Sequence, residues 1–206
     1  MSDETGEAVI IDCGSFYEKE RERLLSYIKD NGLHPVRLLM THAHHDHAYG
    51  NDLIYQHFGL LPEVHENDKL LMTRVLLRRI DEIYGPSYPY PIPMPEHYLT
   101  DGEEITFGSH VIRVIHTPGH SPGSVVLYCE AEKIAFTGDT LMKSFVGSTE
   151  LIGSDPMTMR KSLDLMLKLL PDDTVIYPGH DGKSTIAVVK AKNWRLQQFL
   201  SRHPID

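Results

Sequence analysis

Residues 41 to 47 read Thr41-His42-Ala43-His44-His45-Asp46-His47, which crowds imidazoles around a carboxylate. Such side chains hold divalent cations and transfer protons near neutral pH. On an extended segment, side chains two apart share a face, so His42 and His44 can point at one metal. A helical turn directly after them would aim Asp46 and His47 at a second site. The plain alternative is a solvated histidine run, but such a run has no reason to close an apolar strand, and Val36-Arg37-Leu38-Leu39-Met40-Thr41 precedes this one. Three more segments share one design, a strand ending in a sharp turn with one ligand-type residue. They are Val114-Ile115-His116-Thr117-Pro118-Gly119-His120, Ala135-Phe136-Thr137-Gly138-Asp139 and Val175-Ile176-Tyr177-Pro178-Gly179-His180. A glycine before each candidate ligand permits close backbone approach or a positive φ.

The elements that must position these residues can be read in outline. Ala8–Asp12 is a short apolar run closed by Gly14, as a buried strand would be. Helical spacing follows from Phe16 to Asn31, with Gly32 as the stop. Val36–Thr41 is a second strand, and the residues from Asn51 to Phe58 look helical. Asn67 or Asp68 can cap a helix running to about Tyr84, and the alternating prolines from Tyr88 to Pro95 predict a rigid extended loop. Glu104–Phe107 and His110–Ile115 suggest a hairpin around Gly108-Ser109, and Ser124–Cys129 with Lys133–Phe136 suggest another. Asp155-Pro156 starts a helix reaching Leu170, Thr174–Tyr177 is a strand, and Ser184 opens a last helix to about Leu200. Helices and strands alternate at both ends with hairpins between, an α/β domain of layered sheets.

Whole-chain properties narrow the function classes. The chain has 206 residues, enough for a substantial core, and a formal net charge of -9, which disfavours a nucleic-acid partner. No apolar run approaches the roughly 20 residues of a membrane-spanning helix, and the first residues lack the basic and apolar parts of a secretory signal. Cys13 and Cys129 fit no metal or redox motif and read as buried small hydrophobes. A cytoplasmic, reducing location is the expectation. Of the other histidines, His45 should point away from the first site, and His116 at a strand end should bond to backbone. His65 on a strand, and His34, His57, His97, His110 and His203, have no setting that suggests ligation. Thr137 and Tyr177 are candidate partners for ligating imidazoles, which usually donate their other N–H to an acceptor.

The order His42-x-His44-x-Asp46-His47, then His120, Asp139 and His180, resembles the metal-binding motifs of the metallo-β-lactamase superfamily. His-Thr-Pro-Gly-His-Ser-Pro-Gly-Ser, Phe-Thr-Gly-Asp-Thr-Leu and Tyr-Pro-Gly-His-Asp-Gly-Lys-Ser-Thr are similar to its glyoxalase II-like (hydroxyacylglutathione hydrolase-like) branch. The resemblance runs from about Ala8 to the last helix, so residues 1–206 are expected to form a single metallo-β-lactamase-like domain. It implies a four-layer αββα sandwich, with the metals at one edge between the sheets. It also implies that His42, His44 and His120 bind one divalent ion, that Asp46, His47 and His180 bind a second, and that Asp139 bridges both. Zinc is the first expectation for the ions, with iron or manganese as alternatives. The implied activity is hydrolysis of a small acyl substrate, most plausibly a thioester, by metal-activated water, with Asp46 as an additional catalytic group that orients or deprotonates that water.

The chain departs from the family pattern in places. Many relatives carry Gly-Arg-Thr/Ser-Asp after the bridging Asp, whereas this chain has Val146-Gly147-Ser148-Thr149-Glu150. The glycine stays and the arginine is missing, Glu150 is a candidate stand-in for the Asp, and Lys143 is a candidate substitute cation. The helical extension that helps full glyoxalase II bind glutathione is not expected. Few residues precede Ala8, so the first strands of the fold are expected to be missing, through a smaller sheet or a start internal to a longer product. Two other functions compete. Persulfide dioxygenases of this fold use one iron held by the equivalents of His42, His120 and Asp139, and a non-catalytic member would keep the fold as a scaffold.

Overall fold

The apolar runs of the N-terminal half pair in parallel, which requires a crossover between successive strands. The computed structural model describes residues 1–72 and 93–205. The helix expected toward Tyr84 therefore lies, beyond residue 72, outside the described residues, as does most of the proline-rich stretch. The chain forms two compact units, Met1–Leu99 with Thr106–His110, and Thr100–Ile105 with Val111–Asp206.

In the first unit β1 (Glu7–Ile11), β2 (His34–Leu39), β3 (Pro62–His65) and β4 (Tyr98–Leu99) form a parallel sheet in the order β1-β2-β3-β4. Helices α1 (Glu18–Asp30) and α2 (Asn51–Phe58) provide the first two crossovers. Both are followed by a glycine with positive φ, Gly32 at 60° and Gly59 at 69°, a backbone conformation that costs other residues Cβ strain. Ile10, Leu24, Leu38 and Ile54 pack with Cys13 in one cluster, and Met40, Tyr49, Val64 and Met72 belong to another. The buried Arg21 guanidinium on α1 makes two hydrogen bonds, of 3.1 and 2.5 Å, to the buried Asp52 carboxylate on α2. That fork-to-fork geometry meets the condition for keeping charges out of water. Both cysteines are buried and unbridged, as expected, and burial pushes the Cys13 thiol up to about 11. β1 is the outer strand of this sheet, flanked by an isolated antiparallel bridge from Ser2 to Ala8.

The second sheet has six strands in the order β10-β9-β8-β7-β6-β5. These are β5 (Glu104–Phe107), β6 (His110–His116), β7 (Val125–Cys129), β8 (Ile134–Gly138), β9 (Val175–Pro178) and β10 (Ser184–Thr185). The two expected hairpins are present, and β8 and β9 run parallel, with Gly138 opposite Pro178. Helix α3 (Pro156–Leu169) is capped by Asp155, whose side chain accepts from the Thr158 N–H at 2.6 Å. Its Met159, Leu163 and Met166 recur at helical spacing and pack with Val126, Tyr128, Ala135 and Ile176.

One helix differs from expectation. Ser184–Thr185 is a short strand paired with β9, and the helical pattern after it breaks into α4 (Ile186–Lys192) and α5 (Trp194–Arg202). The break falls at the buried Asn193. Its side-chain amide donates to the carbonyls of Met142 (3.0 Å) and Phe145 (3.2 Å), and its oxygen caps α5 through the Leu196 N–H (2.9 Å). Bonds to distant backbone thus outweigh a local pattern that favours continuation. Among the described residues no helix is long and apolar enough to cross a membrane.

Candidate metal centre

In open α/β sheets, ligands collect beyond the carboxyl ends of parallel strands. β1 and β2 are parallel neighbours, so Asp12 and the loop starting at Met40 leave the sheet side by side. Asp12 has a φ of 52°, which turns its side chain to three donors. Its carboxylate accepts from the Thr41 N–H (2.7 Å) and the Thr41 hydroxyl (2.6 Å), and its Oδ2 lies 3.0 Å from His47 Nδ1. Because the Thr41 hydroxyl proton goes to Asp12, its oxygen accepts from His42 Nδ1, 3.1 Å away. A proton on Nδ1 of each ring matches these acceptors and makes Nε2 the ligating nitrogen. The buried Asp68 carboxylate takes the N–H of Ala43 (2.9 Å), which holds the backbone between His42 and His44.

This anchoring gathers the loop. The His42 ring lies 4.7 Å from that of His44 and 4.1 Å from that of His47, and His47 Nε2 is 3.8 Å from Asp46 Oδ2. A 3-10 turn over His45–His47 supplies the expected bend. His42 and His47 are buried, whereas His44 and Asp46 are half-buried. His45 turns instead to the Tyr49 ring, 5.4 Å away.

The second unit assembles its own trio. Parallel pairing of β8 with β9 puts the two C-terminal turns together, and the Gly179 N–H donates to the Gly138 carbonyl at 2.9 Å. Asp139 and His180 follow directly, with His180 Nε2 3.6 Å from Asp139 Oδ2. The loop after β6 brings His120 Nε2 to 3.5 Å from the same oxygen. Gly119, at φ 137°, and Gly138, at φ 47°, take the positive φ expected of them. His120 Nδ1 donates to the Ser148 carbonyl at 2.9 Å, so its Nε2 also carries the lone pair. Ser154 Oγ secures the His120 carbonyl at 2.7 Å, and Ser162 Oγ secures that of Pro118 at 2.6 Å.

A lone pair facing a carboxylate oxygen at such distances is repulsive unless a proton or a cation joins the two. His47 faces Asp46 in this way, and His120 faces Asp139. These imidazole and carboxylate donors, with tautomers fixed from behind, fit a divalent transition metal.

Several supporting roles differ from expectation. Thr137 donates to the Leu141 carbonyl (2.7 Å), and Tyr177 stacks on Phe136 with ring centroids 5.5 Å apart, so both serve packing. The partners that hold the imidazoles are Asp12, Thr41 and the Ser148 carbonyl. Asp12 had a visible signal, a carboxylate closing one apolar strand beside another that feeds the histidines. The Ser148 carbonyl had none. His116 meets backbone as expected, at the Pro122 carbonyl 2.9 Å away. The retained Gly147 has a steric reason, since a Cβ there would lie 2.0 Å from the Asp139 carbonyl oxygen and 2.8 Å from His120 Nδ1. Beside the trio lies a cavity of about 710 Å³. His120, Asp139 and His180 contribute to its wall, as do Glu150 and the α5 residues Arg195 and Arg202, while Lys143 does not.

Ligand-type side chains at strand ends, each imidazole held from behind by Thr41, Asp12 or the Ser148 carbonyl, define an α/β metal-binding protein. Residues 3–180 match the model of the Metallo-beta-lactamase superfamily, and the chain belongs to that superfamily. Its architecture of two sheets and helices is the α/β metallo-beta-lactamase fold. The chain is 30% identical over 181 residues to the probable metallo-hydrolase YqgX of Bacillus subtilis, covering 87% of this chain and 84% of that one. It is 31% identical over 198 residues to hydroxyacylglutathione hydrolase GloC of Haemophilus influenzae, covering 93% and 88%. Among solved structures it is similar to the B3 metallo-beta-lactamase BLEG-1 (TM-score 0.82, 31% identity, 95% and 91% covered). It is also similar to TTHA1623 in a di-iron-bound form (TM-score 0.76, 33% identity, 89% and 86% covered). ETHE1 from Myxococcus xanthus is a further structural relative (TM-score 0.74, 26% identity, 96% and 78% covered). The superfamily and the metallo-hydrolase relatives make this chain a metal-dependent hydrolase in the general sense.

Proposed function

We propose that the chain binds two divalent metal ions and hydrolyses a small acyl substrate, a thioester before an ester or lactone. His42, His44 and His120 would hold one ion, Asp46, His47 and His180 the other, and Asp139 both. Zinc is the first choice of metal, and the di-iron form of TTHA1623 keeps iron beside it. The observation that carries the reading is that His42, His47 and His120 each turn Nδ1 backward to an acceptor, at Thr41, Asp12 or Ser148, which favours the tautomer that leaves Nε2 to ligate. Evenly solvated histidines would have no such common orientation. Bound in pairs, divalent ions lower the pKa of coordinated water toward roughly 7 and polarise a substrate carbonyl. The half-buried Asp46 carboxylate then serves to orient that water through an accepted hydrogen bond and to receive its proton at a carboxylate oxygen. A thiolate leaving group departs as a stable anion and needs no strong general acid. The GloC relative supports the thioester class.

The competing oxygenase reading needs one iron and leaves Asp46, His47 and His180 without a task, and a scaffold has no need of any of these donors. Metal quantification on protein purified without chelators, followed by a thioester and lactone panel, tests the proposal. Two metals per chain and thioester turnover are expected. Asp139→Ala should lose both metals and reduce activity by more than the roughly 100-fold that loss of an outer partner can cost. One iron per chain with oxygen uptake on glutathione persulfide would replace this reading by the oxygenase.

A further inference from the structure

The cavity beside His120, Asp139 and His180 has a polar wall that metal binding leaves unused. Arg195, Gln198 and Arg202 recur on α5 at intervals of three and four, so they share one helix face and all line the cavity. On the neighbouring face, Leu196 is buried in the core and the partly buried Leu200 packs against it. The break at Asn193 sets this orientation, because its side chain caps α5 while tied to the Met142 and Phe145 carbonyls. The Arg195 guanidinium lies 5.3 Å from the Trp194 ring centroid. Among the described residues neither Arg195 nor Arg202 forms a hydrogen bond or an ion pair, and both are exposed. Two guanidinium groups without a carboxylate partner are thus set on one cavity wall in a chain of net charge -9. The carboxylates on the same cavity are Asp139 and the exposed Glu150, so the α5 face is its cationic side.

We propose that Arg195 and Arg202 form an anion subsite that selects acyl substrates carrying a carboxylate apart from the scissile carbonyl. The inference rests on the hydrolase reading above and adds substrate charge to it. Guanidinium suits this role because its planar donors match a carboxylate and it stays charged at any physiological pH. A volume near 710 Å³ accommodates a metabolite-sized thioester. The cations of this wall come from α5.

The test uses metal-loaded protein and two acetyl thioesters, one of 3-mercaptopropionate and one of its neutral amide. The wild type should favour the carboxylate by about 10-fold or more in kcat/KM, the scale of one charge-assisted hydrogen bond. The preference should shrink as ionic strength rises. In folded Arg195→Gln/Arg202→Gln protein it should fall to near unity through a higher KM for the carboxylate substrate, and Arg195→Lys/Arg202→Lys should restore part of it. Equal use of both thioesters by the wild type, or an undiminished preference in the double Gln variant, would overturn the subsite. Hydrolysis of neither thioester would instead count against the hydrolase reading. Calorimetric binding of 3-mercaptopropionate against its amide then decides the subsite. Tighter carboxylate binding that the Gln variant loses supports it, and equal binding rejects it.

Discussion

Replacing Asp12 with Asn keeps the shape of the side chain and removes its charge and one of its two acceptor atoms. Asp12 receives the Thr41 N–H at 2.7 Å and the Thr41 hydroxyl at 2.6 Å, and its Oδ2 lies 3.0 Å from His47 Nδ1. In the variant one carboxylate position becomes an NH2 group that faces donors. Thr41 can rotate its hydroxyl, but His47 can respond only by moving its proton to Nε2, which would block ligation at that atom. A hydrogen bond to a charged group is worth about 1.5–3 kcal/mol. Loss of an outer partner of a ligating histidine weakens metal binding about 10–100-fold, or about 1.4–2.8 kcal/mol at 1.4 kcal/mol per decade. The two figures agree because they describe the same bond, first as folding energy and then as ligand orientation.

Competition against a chromophoric chelator measures the affinity, and mass spectrometry counts the metals. Thermal melting of metal-stripped protein shows whether the variant still folds. The expected result is a folded Asp12→Asn protein with binding weakened by one to two decades at the ion that His47 serves, and a smaller effect at the other. His42 feels Asp12 only through Thr41, which accounts for the difference. A folded variant that binds both metals with unchanged affinity would refute the tautomer argument.

Gly147→Ala should lower stability by about 1–3 kcal/mol, the usual cost of overpacking. Its Cβ would meet the Asp139 carbonyl oxygen and the His120 ring, so metal content should fall with the melting temperature, and an unchanged melt with full metal content would contradict the packing. Asn193→Ala removes a helix cap and two side-chain hydrogen bonds, one buried and one partly buried. It should cost about 2–3 kcal/mol in urea unfolding, whereas a loss below half a kilocalorie would show that α4 and α5 break for another reason.

What the sequence makes legible follows the range of the forces involved. Strands of Val, Ile and Leu, the Asp155-Pro156 helix start and the turn at Gly108 are local signals, and the structure has them within a residue or two. The grouping of His42, His44, Asp46 and His47 is also local, since few residues separate its members. Asp139 and His180 lie far apart in sequence, and apart from the family resemblance the strand-then-turn design repeated in both segments is the one clue to their meeting. The parallel register of β8 and β9 is what joins them. Thr137 and Tyr177 misled because residue type alone suggested hydrogen-bonding partners, while their neighbours in space are the Leu141 carbonyl and the Phe136 ring. The Ser148 carbonyl was beyond reach of such reading, because any residue at that position carries the same group.

The break at Asn193 shows most sharply why specificity is harder to read than chemistry. Residues 186 to 202 have helical spacing throughout, and asparagine inside a helix is only mildly unfavourable, so local propensity gives no reason to stop. The reason lies in the segment after Asp139, where the Met142 carbonyl faces inward and needs a donor, and the Phe145 carbonyl, already bonded to the Met142 N–H at 3.0 Å, accepts a second. Asn193 supplies both from one amide group and is then positioned to start a new helix. That second start sets which face of α5 looks into the cavity, and hence that Arg195 and Arg202 rather than core leucines line it. The proposed metal ligands announce themselves by type and spacing, whereas the proposed substrate-selecting residues are placed by two backbone carbonyls some fifty positions away.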